Sequence, residues 1–173
     1  GNASAIVDNF SLGLVTTTLG IPTTIISLSA SQLRSQTMVE RIGNASNLVG
    51  SSQFSNLSLG VAGLNILTLG NNAMVGANHV AYNLAGLSIV MNEQVRTGVL
   101  GGVERLITNA MRISFNNYLV GGRTLTGDVI IAQSDGQMLI ETAEPIPEPA
   151  TWLQFIAGFG LIGLVSRRRA AVA

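Results

Sequence analysis

The run Ile107-Thr108-Asn109-Ala110-Met111-Arg112-Ile113-Ser114-Phe115-Asn116 decides the fold class. Ile107, Met111, Ile113 and Phe115 fall on one parity, with Asn109 the one polar residue among them. Thr108, Ala110, Arg112, Ser114 and Asn116 fall on the other. A period of two is the signature of a half-buried strand, because successive side chains point to opposite faces of a sheet. Residues 87–93 repeat it, with Leu87, Ile89 and Met91 on one face. Val129-Ile130-Ile131 reads as a short buried strand within residues 128–132. Ser134-Asp135-Gly136 has turn chemistry, which makes residues 137–140 a returning final strand.

Further strands are expected at residues 5–9, 13–19, 23–29, 53–61, 64–69, 73–77 and 79–84. Gly70-Asn71-Asn72 and Gly121-Gly122 read as tight turns, and residues 30–42 as a long connection or short helix. Phe10-Ser11-Leu12-Gly13 is echoed by Leu57-Ser58-Leu59-Gly60, which suggests two similar hairpins; no regular period continues, so a solenoid is excluded. Strands of this number predict an all-β, antiparallel sandwich or barrel-like domain.

The last thirty residues differ in kind. Pro145, Pro147 and Pro149 alternate with other residues and impose an extended, semi-rigid spacer over residues 144–150. Residues 150–166 carry no charge, and only Thr151, Gln154 and Ser166 are polar. As a helix, that stretch would span about 25 Å at 1.5 Å per residue, slightly less than a bilayer core. Trp152 stands at its entry and Arg167-Arg168-Arg169 at its exit. An interfacial aromatic and snorkelling cations are what membrane boundaries favour. The expected organisation is a β-domain over 1–143, a spacer over 144–150, a single transmembrane helix over 151–166 and a cytoplasmic arginine tail over 167–173. Positive charge on the cytoplasmic side places the β-domain on the far side, in the periplasm. A buried C-terminal core helix is the competing assignment, and three consecutive arginines argue against it.

The tail resembles the PEP-CTERM sorting signal of Gram-negative bacteria. The resemblance lies in Pro147-Glu148-Pro149-Ala150-Thr151-Trp152, in a helix spotted with Gly158, Gly160 and Gly163, and in Arg167, Arg168 and Arg169. Ile146 stands where that signal usually has valine. The resemblance implies an exosortase, a membrane transpeptidase-like enzyme, as partner. Pro147, Glu148 and Pro149 would be recognised rather than catalytic, and the product would be inner-membrane or, after processing, at the cell surface. A second resemblance joins Leu87-Ser88-Ile89-Val90-Met91-Asn92-Glu93-Gln94, Ile107-Thr108-Asn109-Ala110-Met111-Arg112-Ile113 and Gly127-Asp128-Val129-Ile130-Ile131-Ala132. In that order they are similar to the "NEQ", "TVNAIHI"-like and "GDVIIG"-like segments of the choice-of-anchor family of exported proteins. Met111-Arg112 replaces that family's hydrophobic–His pair, and the family carries no established enzymatic activity to transfer.

Composition fits an exported domain. The nine basic residues are all arginine, and nine acids balance them. Removing the three tail arginines leaves six against nine in residues 1–149, which disfavours nucleic acid as a partner. Charged residues make up 10% of the chain, well below the roughly one-quarter usual for soluble domains. With no cysteine, disulfides and thiolate metal sites are excluded. The chain starts at Gly1 without methionine, and a removed signal peptide is the expectation for an exported protein.

Chemistry is sparse. His79, the only histidine, is better read as a strand or turn residue than as a ligand or base. Glu93 and Glu104 could approach as a glycosidase pair. The simpler expectation is that Glu93 hydrogen-bonds backbone at a strand end, since few aromatics are present to line a sugar cleft. Asp128 and Asp135 flank a strand as calcium candidates without a supporting loop motif. Gly98–Gly102 lacks the lysine and hydroxyl of a phosphate loop. Asn2, Asn9, Asn44 and Asn56 lie in glycosylation sequons that chance readily explains. No catalytic residue, metal site or cofactor is expected. The partners expected are membrane lipid, exosortase, and either an integral membrane complex or an extracellular matrix polymer. Gly158, Gly160 and Gly163 would allow another helix to approach closely. A small carbohydrate-binding or hydrolytic domain is the remote alternative.

Overall fold

A computed structural model describes residues 1–18, 20–43, 45–98 and 102–139, together with Gln154. The chain divides into two units, Gly1–Ile140 and Glu141–Ala173. The first is all-β. Its strands are β1 (Asn2–Thr18), β2 (Ile21–Ile42), β3 (Ala45–Ser55), β4 (Leu57–Val61), β5 (Leu64–Leu69), β6 (Ala73–Met74), β7 (His79–Leu84), β8 (Leu87–Gly98), β9 (Val103–Val120) and β10 (Arg123–Leu139). Every pairing is antiparallel. One sheet runs β5-β4-β2-β3-β6 with β1 on the other side of β2; the second runs β10-β9-β8-β7. They stack face to face as a sandwich, with β2 and β3 over β9. The spacer, helix and arginine tail expected over residues 144–153 and 155–173 lie outside the described residues, and among the described residues no helix is long and apolar enough to cross a membrane.

Three hairpins close with two-residue turns whose central residues both have positive φ: Ala62-Gly63, Ala85-Gly86 and Gly121-Gly122. That is the type I′ geometry whose twist matches antiparallel strands. Gly70-Asn71-Asn72 is likewise a turn.

The sandwich interior has two unlike halves. In the wide half, Ile26, Leu28, Leu33, Phe54, Leu57 and Leu59 pack against Leu87, Ile89, Met91, Met111 and Ile113. In the narrow half small residues face one another, next to a second, minor apolar cluster of Val39, Leu48 and Leu106. Adding a Cβ to Gly50 would drive it into Thr108 and to 2.8 Å from Gln94 Cδ; adding one to Gly136 would strike Val39 and approach Thr37 Cγ2 to 2.9 Å. Thr37 Oγ1 stands 2.8 Å from Thr108 Oγ1 and 2.9 Å from Ser134 Oγ, so hydroxyls tie the two sheets together where no large side chain fits. Ser35 Oγ, in the same half, is buried without a partner among the described residues.

The halves meet at a row where each sheet changes the parity of its inward residues. In β1, Asp8 stands opposite Gln32 and Phe10 opposite Ala30, which puts Asn9 (φ 51°) beside Ser31. In the same register along β2, Ser55 faces Gln32 and Ser58 faces Ser29, which puts Asn56 (φ 51°) on the other side of Ser31. The second sheet repeats the device: Asn92 (φ 49°) and Ala132 (φ 50°) flank Ala110. A single left-handed residue, skipped by the pairing on either side of it, rotates the strand, so the parity of the inward positions reverses.

This row accounts for where the expected alternation fails. Met111 and Ile113 are buried as expected, but from Ala110 back toward the start of β9 the inward residues are Ala110, Thr108 and Leu106, while Ile107 is half-buried. It also joins what looked like separate strands: the expected strands at 5–9 and 13–19 belong, over the described residues, to one strand, β1. The expected strand at 53–61 is instead broken at Asn56 into β3 and β4. The echo between residues 10–13 and 57–60 is two strands flanking β2, with Leu12 and Leu59 both opposite Leu28.

Further expectations are corrected. Residues 30–42 are neither connection nor helix but the second half of the 22-residue β2; Leu33, Ser35, Thr37 and Val39 alternate inward, and the small polar members hide the period. Ser134-Asp135-Gly136 is no turn but the middle of β10, where the glycine serves the close sheet approach. Of residues 73–77 only Ala73 and Met74 form a strand, and Ala45–Ser55 begins earlier than its sequence suggests.

Candidate functional site

The residues singled out for sorting and anchoring, Pro147, Glu148, Pro149, Trp152, Gly158, Gly160, Gly163, Arg167, Arg168 and Arg169, all lie outside the described residues. Within the β-domain, the ion pairs among the described residues all lie on the second sheet. The three segments that carry the choice-of-anchor resemblance fall on β8, β9 and β10, adjacent strands of that sheet.

Asn92-Glu93-Gln94 works as a bracket at the parity row. The Asn92 amide donates to the Val75 carbonyl at 2.9 Å and accepts from Ser52 Oγ at 3.1 Å across the sandwich. Gln94 Nε2 donates to the Gly50 carbonyl at 2.6 Å, also across the sandwich. Glu93 turns outward and accepts from Asn109 Nδ2 at 2.7 Å and from Arg112 at 2.9 Å. Arg112 reaches on to Asp128 at 2.9 Å, so one guanidinium spans β8, β9 and β10. Its basicity is raised by the hydrogen bond to Asp128 and then by that to Glu93. In return, Arg112 first and the Ser114 hydroxyl second hold the Asp128 carboxyl below its usual range.

Asp135 is engaged likewise by Arg105, in a bidentate pair that lowers its pKa. Glu104 accepts from Ser46 Oγ. Glu93 lies opposite Asn109 while Glu104 lies opposite Gly98, about five rungs or roughly 17 Å away along the ladder. The glycosidase pairing is therefore not formed. Asp128 and Asp135 are each committed to an arginine, and among the described residues no three His, Cys, Asp or Glu side chains gather to hold a metal ion. His79 is the exposed first residue of β7, opposite Met91. The grooves on the first sheet's outer face are shallow, one lined by Arg34, Gln36, Ser51, Gln53 and Met74, another by Ser27, Ser58, Gly60 and Asn65. The parity-row asparagines were not legible as functional residues. The hints were Asn92, at the head of the "NEQ" segment, and Asn9 and Asn56, each standing directly before an echoed segment and opening a sequon.

The Arg112 bridge yields a pH prediction. A carboxyl with a depressed folded pKa contributes stability above its unfolded pKa, about 3.9, and loses it as pH falls through the lower folded value. Arg112→Met is expected to cost about 1–2 kcal/mol at pH 7, because both Arg112 and Asp128 are more than a third exposed and screened. The gap to the parent should narrow below about pH 3.9. Urea midpoints at pH 7 and pH 2.5 test this; an unchanged gap at the lower pH would remove Asp128 from the account.

No family model, curated protein or solved structure matches this chain.

Proposed function

We propose that the chain is a non-enzymatic, exported surface protein. Its β-domain is held at a membrane by residues 144–173, and Pro147, Glu148 and Pro149 form a sorting signal of the PEP-CTERM type read by an exosortase. The observation that carries this is the fixed order of proline spacer, uncharged apolar run and triple arginine in the last thirty residues. The domain's chemistry supports it: the described carboxylates on the second sheet are spent on arginine, amide and hydroxyl partners within the fold rather than gathered in a cleft.

The test is the intact mass and C-terminal peptide of the protein recovered from native membranes and from the cell exterior. Chains ending near Pro149 outside the cell are the expected result. A chain running through Ala173 in every fraction sinks the sorting step and favours a permanent anchor, as in an accessory subunit of a larger membrane complex. Recovery only from the soluble cytoplasm overturns the proposal as a whole.

A further inference from the structure

Sheet edges are templates for strand addition unless they are short, bulged, charged or broken by proline. Among the described residues, every open edge but one is managed in those ways or covered: β3 beyond β6 has its Leu48 and Gly50 carbonyls taken by Arg96 and Gln94, and β8 beyond β7 carries Glu93 and Arg96. β5 and β7 have six residues each and β6 has two. β7 carries a bulge, and β10, though long, carries Arg123, Asp128 and Asp135. β1 is different. It is 17 residues long, holds one charge, Asp8, has no proline, and among the described residues pairs with β2 alone.

The parity change at Asn9 restricts what can add to this edge. Ala3, Ala5 and Val7 point inward before it, and Phe10, Leu12 and Leu14 after it. An ordinary strand with unbroken alternation would match one half and present its wrong face to the other. β1 itself carries the required change. Laid antiparallel on its own copy, with the two-fold axis between Asp8 and Asn9, it matches throughout. Val7 then faces Phe10 of the second copy, Ala5 faces Leu12 and Ala3 faces Leu14, each on the inner side and each pairing a smaller residue with a larger one. On the outer side Ile6 faces Ser11, Ser4 faces Gly13 and Asn2 faces Val15. Asp8 meets Asn9 of the second copy, so the strand's single charge never opposes itself.

We infer that the protein forms a two-fold symmetric dimer in which β1 pairs antiparallel with β1 of a second copy, making one continuous sheet from the two first sheets. The contact is isologous and closes on itself, so it gives dimers rather than fibres. Backbone hydrogen bonds supply the attraction, and the parity change supplies register and choice of partner.

The absence of cysteine permits a direct test of register on the full chain in mild detergent. Ile6→Cys protein mixed with Ser11→Cys protein should give a disulfide-linked dimer under mild oxidation, since directly opposed side chains come within disulfide reach. Either variant alone should not, because like positions are about five rungs, or roughly 17 Å, apart. Ile6 is 50% exposed and Ser11 is exposed, so Ile6→Lys/Ser11→Lys should leave the β-sheet circular dichroism unchanged. By light scattering it should convert a dimer to a monomer, with at least a tenfold rise in dissociation constant. A parent protein that stays monomeric at high micromolar concentration overturns the inference. So does a dimer that survives the double-lysine change, or one that links Ile6→Cys to itself; a dimer held by the tail would show the first of these.

Discussion

Phe54→Ala is expected to destabilise the β-domain by about 3–5 kcal/mol, the range for emptying a fully buried aromatic site. Phe54 is 0% exposed and heads the largest buried side chains. It sits on the inner face of β3, opposite Leu33 on one side and Ala73 on the other, at the point where the wide half of the sandwich begins. Neighbours on three strands cannot all collapse into the space, since each is fixed by its own ladder. A domain of this size has about 5–15 kcal/mol in hand, so the loss is a large share. The measurement is the urea midpoint of the full chain in mild detergent, with Ile130→Ala as control. Ile130 is 48% exposed on the outer face, and its truncation should cost under about 0.5 kcal/mol. Equal midpoints for the two variants would mean that the wide half is not the cooperative core.

Asn92 should be nearly as sensitive, for a backbone reason. Its φ of 49° is left-handed, which costs an ordinary L-residue about 1–2 kcal/mol and a β-branched one more. Its side chain satisfies the Val75 carbonyl and Ser52 Oγ in a 4% exposed setting. Asn92→Val removes both partners and forces valine into that conformation, so a loss of about 3 kcal/mol or more is expected. Asn92→Gly keeps the backbone and loses only the side-chain bonds, about 1–2 kcal/mol. The comparison by urea unfolding separates the two causes. If glycine proves as damaging as valine, backbone strain has no part in it and the parity row is held by hydrogen bonds alone.

The residues most legible in the sequence were those whose neighbours in the chain were enough to read them. Leu64–Leu69 and His79–Leu84 emerged with their expected bounds because each is a short strand closed by turn residues. The Gly121-Gly122 turn was legible for the same reason. The long strands were not. Residues 30–42 and 134–136 contain serine, threonine and glycine at inward positions, and only an opposing sheet at close range makes those residues core. The polar cluster was half legible. Glu93 was expected to bond backbone at a strand end; it instead sits within β8 and accepts from the side chains of Asn109 and Arg112, and the link through Arg112 to Asp128 joins three strands whose register no local pattern specifies.

By itself, then, the sequence determined that the first 140 or so residues form antiparallel β-structure, because alternation and turn chemistry are local properties. It also determined the chemical character of the tail, since charge, hydropathy and proline spacing need no fold to be read. The tertiary structure alone decided that Asn9, Asn56, Asn92 and Ala132 form two matching rows that reverse the facing of both sheets. A left-handed residue is a choice made by backbone on both sides of it, and asparagine or alanine permits that choice without announcing it.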